Sequence, residues 1–166
     1  MKRFWTADLH FNHAAICIYC NRPWLRKADI RKDEITGADR FASRDIALDT
    51  AERMNKGLIK NINSRVKDED VVVCVGDFMT YGRAKGVDGL KIKSSDILSE
   101  LNGSWCLIKG NHDKQNKVKI IASHMTIDIG PYKAFVSHYP LENLNVFNPK
   151  LIDYVINYTD FQIVGH

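Results

Sequence analysis

Val71-Val72-Val73-Cys74-Val75-Gly76-Asp77-Phe78 sets a run of apolar, β-prone residues directly against a Gly-Asp turn. The arrangement recurs along the chain. Phe4-Trp5-Thr6-Ala7 precedes Asp8-Leu9-His10, and Trp105 to Ile108 precede Gly110-Asn111-His112-Asp113. Ala134-Phe135-Val136 precede Ser137-His138, and Phe161 to Val164 precede Gly165-His166. Short apolar runs bounded by polar turns read as buried strands.

Between the first two runs, Ile46, Ala51, Met54, Leu58 and Ile62 form a helical stripe, with Asp45 and Asp49 near its start, where acidic residues favour a helix N-terminus. A second helix is expected from Ser95 to Leu101, closed by Asn102-Gly103. Strands alternating with helices predict an α/β domain. The charged stretch 26–44 and the Gly- and Lys-rich stretch 82–93 read as surface loops. No internal repeat, low-complexity tract or linker composition divides the chain.

At 166 residues and 45% hydrophobic, the chain has the size of one compact domain and enough apolar material for a core. No stretch approaches the roughly 18 uncharged apolar residues of a membrane span, and Met1-Lys2-Arg3 leads into a strand without an apolar signal core. A cytoplasmic protein with no membrane partner is expected. Cys17 and Cys20 form a CxxC, but no second ligand pair stands at a zinc-type distance from it, so the four cysteines read as reduced thiols. A zinc-structured interaction module built on that pair lacks its remaining ligands. The net charge of +4, from 24 basic and 20 acidic residues, tilts the protein toward anions without deciding a partner.

The polar cluster after each strand carries metal-ligand chemistry, and four of those clusters contain one of the chain's 6 histidines. Any one of these histidines alone is more simply a satisfied core or turn residue. Their common placement after strands is what that reading leaves unexplained, because open α/β sheets bind ligands beyond the carboxyl ends of their strands.

The series DxH, GDxx(D/N/E), GNH(D/E), a lone His and the start of GHxH resembles the calcineurin-like metallophosphoesterases. The resemblance is closest to small stand-alone bacterial and phage members, through Met54 to Asn61 ahead of Gly76-Asp77-Phe78, Arg22-Pro23, and Ser137-His138-Tyr139-Pro140. It implies an α/β fold of metallophosphoesterase type: a β-sandwich of mixed sheets flanked by helices, with ligands on loops at the C-terminal ends of strands. It further implies two divalent metal ions, manganese first, with iron, zinc or nickel as alternatives. Asp8 and His10 resemble ligands of the first metal, Asp77 the bridging carboxylate, and Asn111, His138 and His166 ligands of the second. A donor set of nitrogen and oxygen without thiolate suits those ions and disfavours Ca²⁺.

The expected activity is hydrolysis of a phosphate ester by a metal-bridging hydroxide, leaning to phosphodiesters of nucleotides or nucleic acid. His112 resembles the family histidine that contacts the phosphate or protonates the leaving oxygen, with Asp113 orienting it. Arg22 and His13 are candidates for gripping the phosphate, with a surface turn the alternative for Arg22. Arg83, Lys85, Lys91 and Lys93 are a candidate basic rim, and His124, without a motif, reads as structural. Two departures stand out. Thr80 replaces the Asp or Asn common after GD, and the sequence stops at His166, before the final histidine of GHxH. The chain is therefore expected to lack its natural C-terminal end. The rival to an enzyme is a catalytically weak or inactive scaffold that keeps the fold. Oligomeric state is not written in these motifs.

Overall fold

The computed structural model describes residues 1–80, 92–115, 122–143 and 149–165. Strand β4 (Val71–Val75) lies between β1 (Arg3–Thr6) and β5 (Ser104–Ile108), all parallel, with Phe4 opposite Val72 and Val72 opposite Trp105. Alternate residues of a strand face opposite sides of its sheet. Thus Val73 and Val75 pack with Ile108 of the neighbouring β5 and with Val136 of a second sheet, while Cys74 packs with Leu9, Phe11, Phe78 and Ile97 under a layer of helices. A strand covered on both faces needs apolar residues at every position, which is why β4 reads as an unbroken run.

The second sheet is mixed. Strand β7 (Tyr132–Ser137) pairs antiparallel with β6 (His124–Ile129) and parallel with β8 (Phe161–Val164). The two sheets thus form a sandwich flanked by helices, as the sequence leads one to expect.

Helix α2 (Arg44–Asn63) carries the crossover from β1 to β4. Ser43 caps it by accepting the Ile46 N–H at 3.2 Å, and Asp45 lies in the first turn and Lys60 in the last, both favourable to the helix dipole. Its buried residues Ala47, Thr50, Ala51, Met54 and Asn55 continue into Leu58, Ile59 and Ile62, one stripe along a single face. Helix α3 (Ser94–Glu100) makes the crossover to β5.

Stretch 26–44 is more than a surface loop. It holds a 3₁₀ turn, Lys27–Asp29, and the antiparallel hairpin of β2 (Ile30–Lys32) and β3 (Asp39–Phe41). Buried Asp29 anchors the stretch to α2 through the Arg53 guanidinium, and it also accepts the Arg26 N–H at 2.8 Å. Three-residue charged strands have no periodicity to read, so the sequence leaves them unmarked. The short helix α1 (Ala14–Tyr19), edge strand β6 and helix α4 (Pro149–Tyr158) were likewise unassigned. Among the described residues no helix is long and apolar enough to cross a membrane.

Candidate metal centre

The loops after β1 and β4 zip together through backbone bonds. Asp8 N–H donates to Gly76 O at 3.1 Å, His10 N–H to Asp77 O at 2.9 Å and Phe11 N–H to Phe78 O at 3.0 Å. Asp8, His10 and Asp77 have φ of 53°, 53° and 51°, a left-handed conformation that costs a non-glycine residue roughly 1–2 kcal/mol. Surrounding contacts hold these turns in place. The Arg22 guanidinium donates to Asp8 O at 2.6 Å and Leu9 O at 2.7 Å. Asn12 N–H donates to Asn55 Oδ1 at 2.9 Å, and Asn55 Nδ2 donates back to Asn12 Oδ1 at 2.6 Å.

The turn after β5 is fastened to the same place. Asp113, buried, accepts the N–H groups of Asp77 at 3.0 Å, Gly110 at 2.8 Å and Met79 at 3.4 Å. His112 N–H in turn donates to Asp77 Oδ1 at 2.8 Å. Two motif glycines are required by close approach. A Cβ on Gly110 would overlap the Asp77 carboxylate, and one on Gly76 would overlap the His138 ring.

With Oδ1 held by His112, the Asp77 Oδ2 atom faces His10 Nε2 at 3.6 Å and His138 Nε2 at 3.5 Å. Asp8 Oδ1 lies 3.8 Å from His10 Nε2, and Asn111 Oδ1 lies 3.0 Å from His138 Nε2. Donor atoms about 2.0–2.2 Å from one cation and subtending 90–120° lie roughly 2.8–3.8 Å apart. All four separations fall in that range. Asp8, Asp77 and His138 also bring one ligand atom each within 4.8 Å of one another.

The chemistry of the atoms agrees with the spacing. His138 Nδ1 meets the Val75 carbonyl at 3.0 Å, and a carbonyl only accepts, so Nδ1 carries the proton and Nε2 turns a lone pair toward Asp77 and Asn111. Carboxylate, amide oxygen and imidazole nitrogen therefore converge, and either a cation or a proton on His138 Nε2 has to lie between them. Burial lowers the His138 pKa, but the Asp77 carboxylate and Val75 carbonyl outweigh burial and raise it above the usual value. At His10 burial wins over the pull of Asp77 and drives the pKa down to about 3, leaving the neutral ring, the form in which an imidazole can bind a metal. Burial raises the Asp77 pKa, yet hydrogen bonds from His138 and the His112 N–H outweigh it and hold the carboxyl below its usual range.

A second cluster adjoins the first: His10, His13 and His112 each bring a ring nitrogen within 4.8 Å of the others. The His112 ring stands edge-on to His10, with centroids 4.9 Å apart. Burial, aided by His112 and Arg22, lowers the His13 pKa to about 4.

The structure thus gathers Asp8, His10, His13, Asp77, Asn111, His112, Asp113 and His138 at one end of the sandwich. Arg22 sits behind the first loop, on backbone carbonyls. The Asp113 carboxylate is turned to backbone N–H groups. His166, Arg83, Lys85 and Lys91 lie outside the described residues, and Lys93 is an exposed residue at the start of α3. His124 is remote, in β6 against Phe135, with ring centroids 5.5 Å apart. The buried Thr80 hydroxyl has no hydrogen-bond partner among the described residues. Cys17 faces Met54 Sδ at 3.5 Å in the core, with its pKa pushed by burial to about 11, whereas Cys20 is exposed, so the two thiols occupy different surroundings. The sequence reading missed Asn12 and Asn55 as supports of the site. The available signal was a polar residue, Asn55, on the buried face of α2.

Residues 1–166 match the family profile described as calcineurin-like phosphoesterase. The chain belongs to this family. An uncharacterized protein of Methanocaldococcus jannaschii is 31% identical over 166 residues, covering 99% of this chain and 68% of that one. A crystal structure of a protein of unknown function from Aquifex aeolicus superposes with a TM-score of 0.56 at 19% identity, covering 100% of this phosphoesterase and 79% of that chain, which shows a shared fold. Family membership makes this chain a metal-dependent hydrolase of phosphate esters, and its candidate ligand groups are those just described.

Proposed function

We propose that the protein is a binuclear phosphoesterase in which Asp8, His10 and Asp77 hold one divalent ion and Asp77, Asn111, His138 and His166 the other. The observation that carries this reading is the position of Asp77 Oδ2, 3.6 Å from His10 Nε2 and 3.5 Å from His138 Nε2, as a single oxygen shared by both ligand groups requires. Divalent ions bound there, manganese first, supply Lewis-acid activation of water and neutralise phosphate charge. The chain's own residues do the rest. The N–H of His112 fixes the orientation of the Asp77 carboxylate, and Val75 fixes the tautomer of His138. In this reading the His112 ring, which stands edge-on to His10, binds the phosphate or hands a proton to the leaving oxygen.

For the substrate, the reading favours phosphodiesters of nucleotides or nucleic acid, supported by the net charge of +4, and a cytoplasmic setting. The test is metal analysis of the purified protein with hydrolysis of bis-p-nitrophenyl phosphate and p-nitrophenyl phosphate. Expected are bound divalent metal, loss of turnover with EDTA, recovery with Mn²⁺, and faster cleavage of the diester. Absence of both metal and turnover across Mn²⁺, Fe²⁺, Zn²⁺ and Ni²⁺ would overturn the enzyme reading. Faster cleavage of the monoester would overturn the substrate class alone.

A further inference from the structure

We infer that His13 is a positioning residue for the metal ligand His10, holding its ring in the tautomer that leaves Nε2 bare. The inference rests on the proposed role of His10 and deepens it. His13 Nδ1 lies 3.3 Å from His10 Nδ1, on the side of the His10 ring opposite Asp8 and Asp77. Between two Nδ1 atoms at that distance one must donate and the other accept. Because His10 Nε2 faces two carboxylate oxygens, a cation there needs the Nε2 lone pair, so the His10 proton belongs on Nδ1. The His13 Nδ1 lone pair then accepts it, and the proton of His13 resides on its own Nε2.

A ligating histidine ordinarily gives its other N–H to a carboxylate or a backbone carbonyl. Here the acceptor is a second imidazole, and the fold is built to hold it. His13 N–H donates to His10 O at 3.0 Å, closing a tight turn between the two residues. His13 is also the N-cap of α1, 7% exposed, with its neighbour Asn12 clamped to α2 by the reciprocal amide pair with Asn55. Its ring has little freedom to turn away. Without that acceptor, His10 is free to take the Nε2–H tautomer, which points a proton at the place where the cation belongs.

The test measures Mn²⁺ binding to the purified, metal-stripped chain by titration calorimetry. Loss of the partner of a ligating histidine typically weakens metal affinity about 10- to 100-fold. His13→Leu should show that loss, whereas His13→Asn, whose Oδ1 sits where Nδ1 was, should recover most of it. Unchanged Mn²⁺ affinity in His13→Leu, with His10→Ala clearly weakened, would overturn the inference. An unchanged affinity in His10→Ala would instead overturn the assignment of His10 as a ligand. Should His13→Leu fail to fold, ¹⁵N–¹H long-range correlation spectra of the Zn²⁺-loaded wild type decide the matter. The Nδ1–H tautomer at His10 with Nε2–H at His13 is expected, and the reverse pattern would refute it.

Discussion

The Asp113 carboxylate accepts the backbone N–H of Asp77 at 3.0 Å, tying the turn after β5 to the turn after β4. The same carboxylate takes the N–H groups of Gly110 and Met79. A motif aspartate expected to orient a catalytic histidine is thus placed to lock two loops together.

Asp113→Asn should therefore cost stability before it costs chemistry. One acceptor oxygen becomes an amide donor facing backbone N–H groups, and losing charge-assisted bonds at a buried site is worth about 2–4 kcal/mol. Urea unfolding of the metal-free protein should show this loss. A variant as stable as wild type but slower in turnover would return Asp113 to the role of orienting His112.

Arg22→Lys tests the first loop in the same way. The guanidinium reaches Asp8 O and Leu9 O at once, through separate N–H groups, and a lysine ammonium cannot reproduce that fork. A lower melting temperature and weaker metal retention are expected, because the strained turn carrying Asp8 and His10 loses its brace. A raised KM with stability and metal content unchanged would show that Arg22 grips the phosphate.

Asp77→Asn should abolish metal loading at both positions together, since Oδ2 faces both ligand groups and the substitution removes its negative charge. Plasma spectrometry of the purified variant measures this directly. Retention of stoichiometric metal would mean that Asp77 is not shared.

His112→Ala should leave metal content unchanged while lowering kcat, by about 10²- to 10⁴-fold for esters with a poor leaving group if the ring donates a proton. Nitrophenolate leaves without that proton, so its ester should lose far less. Equal losses on both would assign the ring to phosphate binding.

Much of the fold was legible because strands buried on both faces must be apolar throughout. Thus β4 stands out as an unbroken run, the less buried β1, β5, β7 and β8 show as short apolar runs that each end at a polar turn, and the stripe on α2 marks the crossover that packs on the first sheet. Strand β6, the hairpin of β2 and β3, and the six-residue α1 were silent, being respectively interrupted by polar residues, charged, and too short to show a period.

The candidate site divides along a similar line. Which residue types stand after which strands is a local property, and Asp8-Leu9-His10, Gly76-Asp77, Gly110-Asn111-His112-Asp113 and Ser137-His138 announce it residue by residue. Where each polar atom points is not local. That Asp113 turns to the backbone of Asp77, that Arg22 turns to the carbonyls of Asp8 and Leu9, and that His13 turns to His10 depends on loops brought together by strand pairing. Sequence by itself determined the family, the apolar strands and the inventory of candidate metal-binding groups. Only the tertiary structure decided which of those groups face a common point and which hold the others in place, because a hydrogen bond is set by distance and direction between atoms that the chain alone leaves far apart.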